Sequence, residues 1–330
     1  MTPLTTSPSV PPVSSVPSDL ESAINDLRIK RRAVILAHYY QEEDIQDIAD
    51  FVGDSLDLSR RAAATDADVI VFCGVRFMAE VAKILSPERM VLVPDMNAGC
   101  SLEESCPPER FRQFRAQHPH HLALTYINCS AEVKALSDII VTSSNALKII
   151  EQIPVSQPIL FAPDQHLGRY LQKKSGRPMV LWPGTCIVHE QFSEKALLKM
   201  KHRHPKAVVS AHPECPDAIL THADHIGSTS SMLHFVRTSP HDEIIVATES
   251  HIIHQMRKIA PDKTFYEAPG PDAQCSCAQC PYMAMNSMEK LYTALATMQP
   301  QVTIASQLRE AASKPLRRML DMSPPPRTPC

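Results

Sequence analysis

Short aliphatic runs that end in polar groups recur along the chain. AVILAHYY (33–40), LALTYIN (122–128) and KAVVSAHPE (206–214) each read as a buried strand with a polar tip. A second set follows each of them: DADVIVFCG (66–74), LSDIIVTSSNA (136–146) and HADHIGSTSSM (222–232). MVLVPD (90–95), ILFAPD (159–164) and EIIVATE (243–249) make a third. Helical periodicity lies between the runs. In EEDIQDIADFV, Ile45, Ile48, Ala49 and Val52 share one helical face, which predicts a helix through Val52. Short strands alternating with helices indicate parallel βαβ units, here in three copies. In parallel sheets, ligand groups gather beyond the C-terminal strand ends. The tips AHYY, YIN, HPE, TSS and STS sit at such ends and could face one shared centre.

Cysteines extend the pattern. Cys100 in PDMNAGC, Cys186 in VLWPGTC and Cys280 in CAQCP each close one copy, although by this reading the first copy reaches its thiol one strand early. The chain holds 10 cysteines in 330 residues. Its N-terminus, MTPLTTSPSVPPVSSVPSDL, has neither the basic start nor the apolar core of a secretory signal, so thiols rather than disulfides are expected. The same Pro/Ser/Thr-rich stretch reads as a disordered leader. A net charge of -3 and a pI near 6.6 argue against nucleic-acid binding. No apolar run is long enough to span a bilayer.

Three converging thiolates select zinc, copper(I) or an iron–sulfur cluster. Structural zinc usually takes four ligands close in sequence, whereas these three are far apart. A cubane held by three thiolates keeps one iron open, where it could act as a Lewis acid. Ser55, Ser143 and Thr229 are hydroxyl donors suited to carboxylate or phosphate oxygens. His38, Tyr40, His212 and Glu214 are candidate proton carriers. GDSL (53–56) looks like a hydrolase nucleophile block, but it follows a predicted helix, and Asp54–Ser55 reads better as a helix cap. Cys106, Trp182, Met283 and Met285 read as packing residues. KPLRRML reads as a short basic helix at most.

The stretches AHYYQEEDIQDIADFVGDSLDLSR, FCGVRFMAE, PDMNAGCSLEESC, YINCSAEVKALSDIIVTSSNA, APDQHLGRYL, WPGTCIVHEQF, HPECPDAILTHADHIGSTS and CAQCPYMAMNSMEKL together resemble the quinolinate synthase (NadA) family. The resemblance implies an α/β fold of three repeated αβα sandwich domains around a pseudo-threefold axis, with a central active site. It implies a [4Fe-4S] cluster on Cys100, Cys186 and Cys280. It also implies condensation of iminosuccinate (iminoaspartate) with dihydroxyacetone phosphate to quinolinate in cytoplasmic NAD biosynthesis, with L-aspartate oxidase as supplier. Substrate contacts would be His38, Ser55, Tyr126, Asn128, Ser143, His212, Glu214 and Thr229. Tyr40, His38, His212 and Glu214 would be catalytic, and His189 falls at a further active-site position. Expected boundaries are a leader 1–19, domains 20–110, 111–190 and 191–300, and a tail 301–330. Cys129 stands where the family often carries Thr. Cys275 and Cys277 are either spare or a redox-active pair, and the latter is the basis of a competing reading as a redox sensor. A zinc-dependent lyase is a third reading.

Overall fold

A computed structural model of the chain describes residues 16–271 and 278–324. Among these residues, twelve strands form three parallel four-stranded sheets. The first contains β1 (Ala33–His38), β2 (Phe51–Gly53), β3 (Val69–Cys73) and β4 (Met90–Leu92). The second contains β5 (Leu122–Tyr126), β6 (Ile139–Val141), β7 (Ile159–Ala162) and β8 (Met179–Leu181). The third contains β9 (Val208–Ala211), β10 (His225–Ile226), β11 (Glu243–Ala247) and β12 (Thr264–Glu267). In every sheet the spatial order is second, first, third, fourth. Central strands such as VIVFC and ILFA are buried on both faces, so they read as unbroken apolar runs without alternation.

A side-chain clasp repeats in all three units. Asp50, Asp138 and Asp224, each just ahead of the second strand, accept the backbone N–H of Ile35, Ala123 and Val209 on the first strand, at 2.8, 2.7 and 2.8 Å. Each aspartate also pairs with a basic residue on the helix that opens its unit. Arg28 lies on Leu20–Lys30, Arg115 on Pro108–Gln117 and Lys201 on Glu194–Arg203. A buried amide on an edge pairing thus finds a charged acceptor, and the acceptor finds its cation.

The clasp fixes the alignment of the three copies and corrects the reading from sequence. The partner of SDII and ADHI is ADFV, not DADVIV. The helix expected through Val52 ends at Ile48, and Phe51–Gly53 is a strand paired with Leu36–His38. GDSL therefore does follow a strand, although Asp54 caps the helix Ser55–Ala64 by accepting from Leu56 and Asp57 N–H. With β2 restored, DADVIVFCG aligns with ILFAPD and EIIVATE. The sequence after every fourth strand then leads to a thiol, and the apparent mismatch of the first copy disappears.

The chain's end is less modular than expected. Residue 110 falls inside the helix Pro108–Gln117, which opens the second unit. The helix Met288–Thr297, placed with the third domain from sequence, buries Leu291 and Leu295 with Ile24, Ile35 and Val71 of the first unit. Within the expected tail, Ser306–Met322 is a helix whose Ala312, Leu316 and Met319 are buried in a core shared by the first two sheets. KPLRRML, read from sequence as a short basic helix at most, is the second half of that longer helix.

Candidate functional site

Counting along the strands from each clasp shows why one cavity forms. Three residues beyond the clasped amide stand His38, Tyr126 and His212; five beyond it stand Tyr40, Asn128 and Glu214. Five residues beyond each clasping aspartate stand Ser55, Ser143 and Thr229. All nine line a single cavity, together with His189, Cys100, Cys186 and Cys280. The structure therefore brings together every residue named from the sequence as a candidate catalytic, substrate or cluster-ligand group. Trp182 instead packs edge-on against Phe111 and Phe114, away from the cavity. Met283 is buried but does reach the cavity wall.

Each thiol opens a helical turn. The carbonyl oxygens of Cys100, Cys186 and Cys280 accept from the N–H four residues on, at 2.9, 3.0 and 3.1 Å. Their sulfurs face the backbone N–H of Glu103, His189 and Met283 respectively. Burial nevertheless pushes all three thiols up, Cys280 to about 11. Amides that stabilise a thiolate, in a site that makes a free thiolate costly, fit a bound soft cation, which takes thiolates and releases their protons. Gly184 makes the close approach that delivers Cys186. A Cβ there would lie 2.5 Å from the Pro163 carbonyl oxygen and 2.4 Å from Ser105 Oγ. The seven cysteines among the described residues are free thiols. Cys129 and Cys106 lie in the core beside Phe111 and away from the cavity. Cys275 and Cys277 fall outside the described residues.

The polar tips have defined protonation. Burial lowers His38 to about 4 and His212 to about 3, so both rings are neutral near pH 7. His38 Nδ1 accepts from Tyr40 N–H at 3.2 Å, and His212 Nδ1 accepts from Glu214 N–H at 3.4 Å. Each neutral ring then carries its proton on Nε2, and that of His212 is 3.2 Å from Ser143 Oγ. Burial opposes ionisation of Glu214. The neighbouring His212 and His189, with a 2.5 Å hydrogen bond donated by Tyr126, outweigh it and hold the carboxyl at about 2. Tyr40 and Tyr126 are pushed well above the phenol range, first by burial and also by the Glu214 charge.

Three further residues were given no part in the site by the sequence, where Asp54 was read only as a helix cap. Asp54 lines the cavity and ties the units together, since its Oδ2 accepts from Ser144 of the second and, at 2.8 Å, from Ser230 of the third. Glu249 also lines the cavity and accepts from the backbone N–H of Cys280 at 3.2 Å. Thr248 bridges Tyr40 Oη at 2.6 Å and His189 Nε2 at 2.9 Å. The acid that closes both APD and ATE signalled Glu249. Nothing in the sequence signalled Thr248.

No Lys or Arg lines the cavity among the described residues. Hydroxyls, amides and helix N-termini line it in their place. Helices begin at Ser55 and Thr229, and a third begins at Ala146, just beyond Ser143.

A family model described as quinolinate synthetase A protein matches residues 22–321. The chain is 59% identical over 308 residues to a quinolinate synthase of Trichormus variabilis (strain ATCC 29413 / PCC 7937), covering 93% of this chain and 95% of that protein. It is 57% identical over 312 residues to that of Synechococcus sp. (strain ATCC 27144 / PCC 6301 / SAUG 1402/1), covering 94% and 98%. Against that of Prochlorococcus marinus (strain MIT 9303) the identity is 56% over 322 residues, covering 98% and 96%.

Proposed function

The chain belongs to the quinolinate synthase family, an enzyme of NAD biosynthesis acting on small molecules, and from that premise we propose that it condenses iminosuccinate with dihydroxyacetone phosphate to quinolinate, phosphate and two waters. The observation that carries this reading is the convergence of one thiol and three polar tips from each of three sheets on one cavity. Cys100, Cys186 and Cys280 would hold a [4Fe-4S] cluster, which when bound supplies an iron without a protein ligand as a Lewis acid beside these tips.

The rest follows from this chain's own groups. Both substrates are anionic, and Ser55, Ser143 and Thr229 offer hydroxyls at or beside helix N-termini for carboxylate and phosphate oxygens. His38 and His212, neutral and protonated on Nε2, act as hydrogen-bond donors that stabilise developing negative charge without competing for it as cations. Glu214, ionised and held by Tyr126, accepts protons released as the ring forms. Asn128 has a buried Oδ1 without a partner, and its Nδ2 lies 4.0 Å from Cys100 Sγ; the amide is placed to orient a substrate group next to the thiols. Iminosuccinate is supplied by L-aspartate oxidase, and the enzyme works in the cytoplasm. No helix among the described residues is long and apolar enough to cross a membrane.

One observation favours a second reading. Ligand atoms of Cys186, His189 and Glu214 lie within 4.8 Å of one another, a set that suits a single zinc ion. That reading leaves Cys100 and Cys280 without a task. Oxygen-free purification separates the two. About four iron and four sulfide per chain, with quinolinate formed from dihydroxyacetone phosphate and iminosuccinate generated in place, is the expected result. A colourless protein that takes up one zinc and no sulfide after anaerobic reconstitution would overturn it.

A further inference from the structure

Four residues beyond each clasping aspartate stand Asp54, Thr142 and Ser228, and six beyond it stand Leu56, Ser144 and Ser230. They flank in sequence the cavity hydroxyls of Ser55, Ser143 and Thr229. At the first of these positions each side chain accepts a local amide. Asp54 Oδ1 takes Leu56 and Asp57 N–H, both at 2.9 Å. Thr142 Oγ1 takes Ser144 N–H at 3.3 Å, and Ser228 Oγ takes Ser231 N–H at 3.3 Å. A hydroxyl has one oxygen for that task, whereas a carboxylate has two. The spare Oδ2 of Asp54 accepts from Ser144 Oγ of the second unit and, at 2.8 Å, from Ser230 Oγ of the third. Ser230 Oγ is also 3.3 Å from Asp57 Oδ2, the longer of its two contacts. In the first unit the equivalent of the two serines is Leu56, whose side chain has nothing to donate. The acid thus occurs in one copy and its donors in the other two.

We propose that Asp54 is a positioning residue whose Oδ2 ties Ser144 and Ser230 and, through their neighbours in sequence, holds the hydroxyls of Ser55, Ser143 and Thr229 at the spacing of one anionic substrate group. Ser144 and Ser230 do not line the cavity, and each commits its single hydroxyl proton to a carboxylate, so they serve the tie and not the substrate. The three cavity hydroxyls are then set before an anion arrives, and binding need not order three turns from three units. An acid that lines the same cavity works against an anion there. A serine would cap the helix about as well, as Ser228 does in the third unit. The second oxygen is what the acid adds. At 5% exposure Asp54 is shielded from water, so its hydrogen bonds hold firmly. The inference deepens the quinolinate synthase reading and rests on it for the identity of the anion, a carboxylate or a phosphate, but not for the tie itself.

Replacing both donors, Ser144→Ala with Ser230→Ala, removes the tie while the cap and the charge of Asp54 remain. In the cluster-loaded enzyme the KM of dihydroxyacetone phosphate, of iminosuccinate or of both should rise by about 10-fold, the scale of one charge-assisted hydrogen bond. At the same time kcat should stay within about threefold, because an anion seat holds ground state and transition state alike. The substrate whose KM rises identifies the seated group as phosphate or carboxylate, and no rise for either would overturn the proposal. Ser144→Thr with Ser230→Thr restores both hydroxyls and should bring KM back to within about threefold of the parent. Equal losses in the alanine and threonine pairs would mean that packing alone matters, and would overturn it. Asp54→Ser, which copies Ser228, keeps a cap and removes the spare oxygen. Adding the two alanines to it should cost less than the product of the separate losses; strict additivity would also overturn the tie. In the substrate-free, cluster-loaded enzyme, inorganic phosphate should raise the melting temperature of the parent more than that of the double alanine variant. If the parent makes no quinolinate, the functional reading falls, and the tie stands or falls on that phosphate difference alone.

Discussion

The two ends of the three sheets treat their threefold relation in opposite ways. At the N-terminal end the equivalent positions are chemically uniform: an aspartate, a strand amide and a basic side chain, three times over. At the C-terminal end the equivalent positions diverge into His38, Tyr126 and His212, and into Tyr40, Asn128 and Glu214. The base needs only to hold first and second strands in register, and one solution serves all copies. On the proposed function the tips face a substrate without threefold symmetry, so each copy would have to offer a different group to the same point. Two sets are exceptions at the chemical end: the hydroxyls of Ser55, Ser143 and Thr229, and the three thiols, whose identity the proposed cluster would require.

The largest expected effect tests the thiols. Serine at Cys100, Cys186 or Cys280 should each abolish cluster assembly, read as loss of absorbance near 400 nm and of iron and sulfide, with activity down by more than about 10²-fold. A single position that could be replaced without loss would break the equivalence of the three. Next is Glu214→Gln, which keeps a hydrogen-bond acceptor for Tyr126 but removes the charge. It should lower kcat by about 10²–10⁴-fold, the range of a general acid or base, while iron content holds. If kcat survived, the divergent tips would be binding groups only.

The clasps should behave in the reverse way, with a loss of stability and no loss of chemistry. Asp50→Ala, Asp138→Ala and Asp224→Ala each remove a charge-assisted hydrogen bond, at about 1.5–3 kcal/mol. With side-chain exposures of 21, 36 and 46%, Asp50 should cost most and Asp224 least. Denaturant midpoints give the order, and kcat of the folded fraction should remain within about twofold, as expected of a substitution remote from the chemistry. A clasp variant that lost turnover without losing stability would show that the two ends are not separate.

Much of this division was legible in the chain. Tips and thiols could be found because polar groups at strand ends interrupt apolar runs abruptly, and because the cysteines recur once per copy. The alignment was harder to read. Phe51–Gly53 is three residues long, and Val52 happens to continue the helical face of Ile45 and Ile48, so period alone ran a helix through a strand. Asp68 ahead of β3 resembles the clasping aspartates in sequence, and only the hydrogen bonds distinguish it: Asp50, not Asp68, accepts the amide of Ile35. The role of Ser306–Met322 was illegible for a different reason. Its apolar face is read easily enough, but the surface that it covers is shared between two units and exists only after they have met. Thr248 is the extreme case, since both of its partners come from other sheets.

The smallest expected effect lies on the seam between the first and third units, where neither end's rule applies. His251 Nδ1 is 2.8 Å from Glu249 Oε1, and Nε2 is 3.1 Å from Glu42 Oε2 of the first unit. The hydrogen bond to Glu249 raises His251 to about 9; burial opposes the shift, and the charges of Glu249 and Glu42 add to it. A histidine raised in the folded state contributes its full stability below the unfolded value near 6.5 and loses it as pH rises to about 9. The contribution should be on the order of 1 kcal/mol once solvent screening of Glu42 is allowed for. Anaerobic melting curves of the cluster-loaded enzyme should therefore fall between pH 6.5 and 9, and His251→Gln should flatten that slope while leaving the melting temperature above pH 9 almost unchanged. A slope that survived the substitution would place the pH sensitivity elsewhere. One that vanished along with turnover would make the seam part of the chemical end, because Glu249 also holds the amide of Cys280.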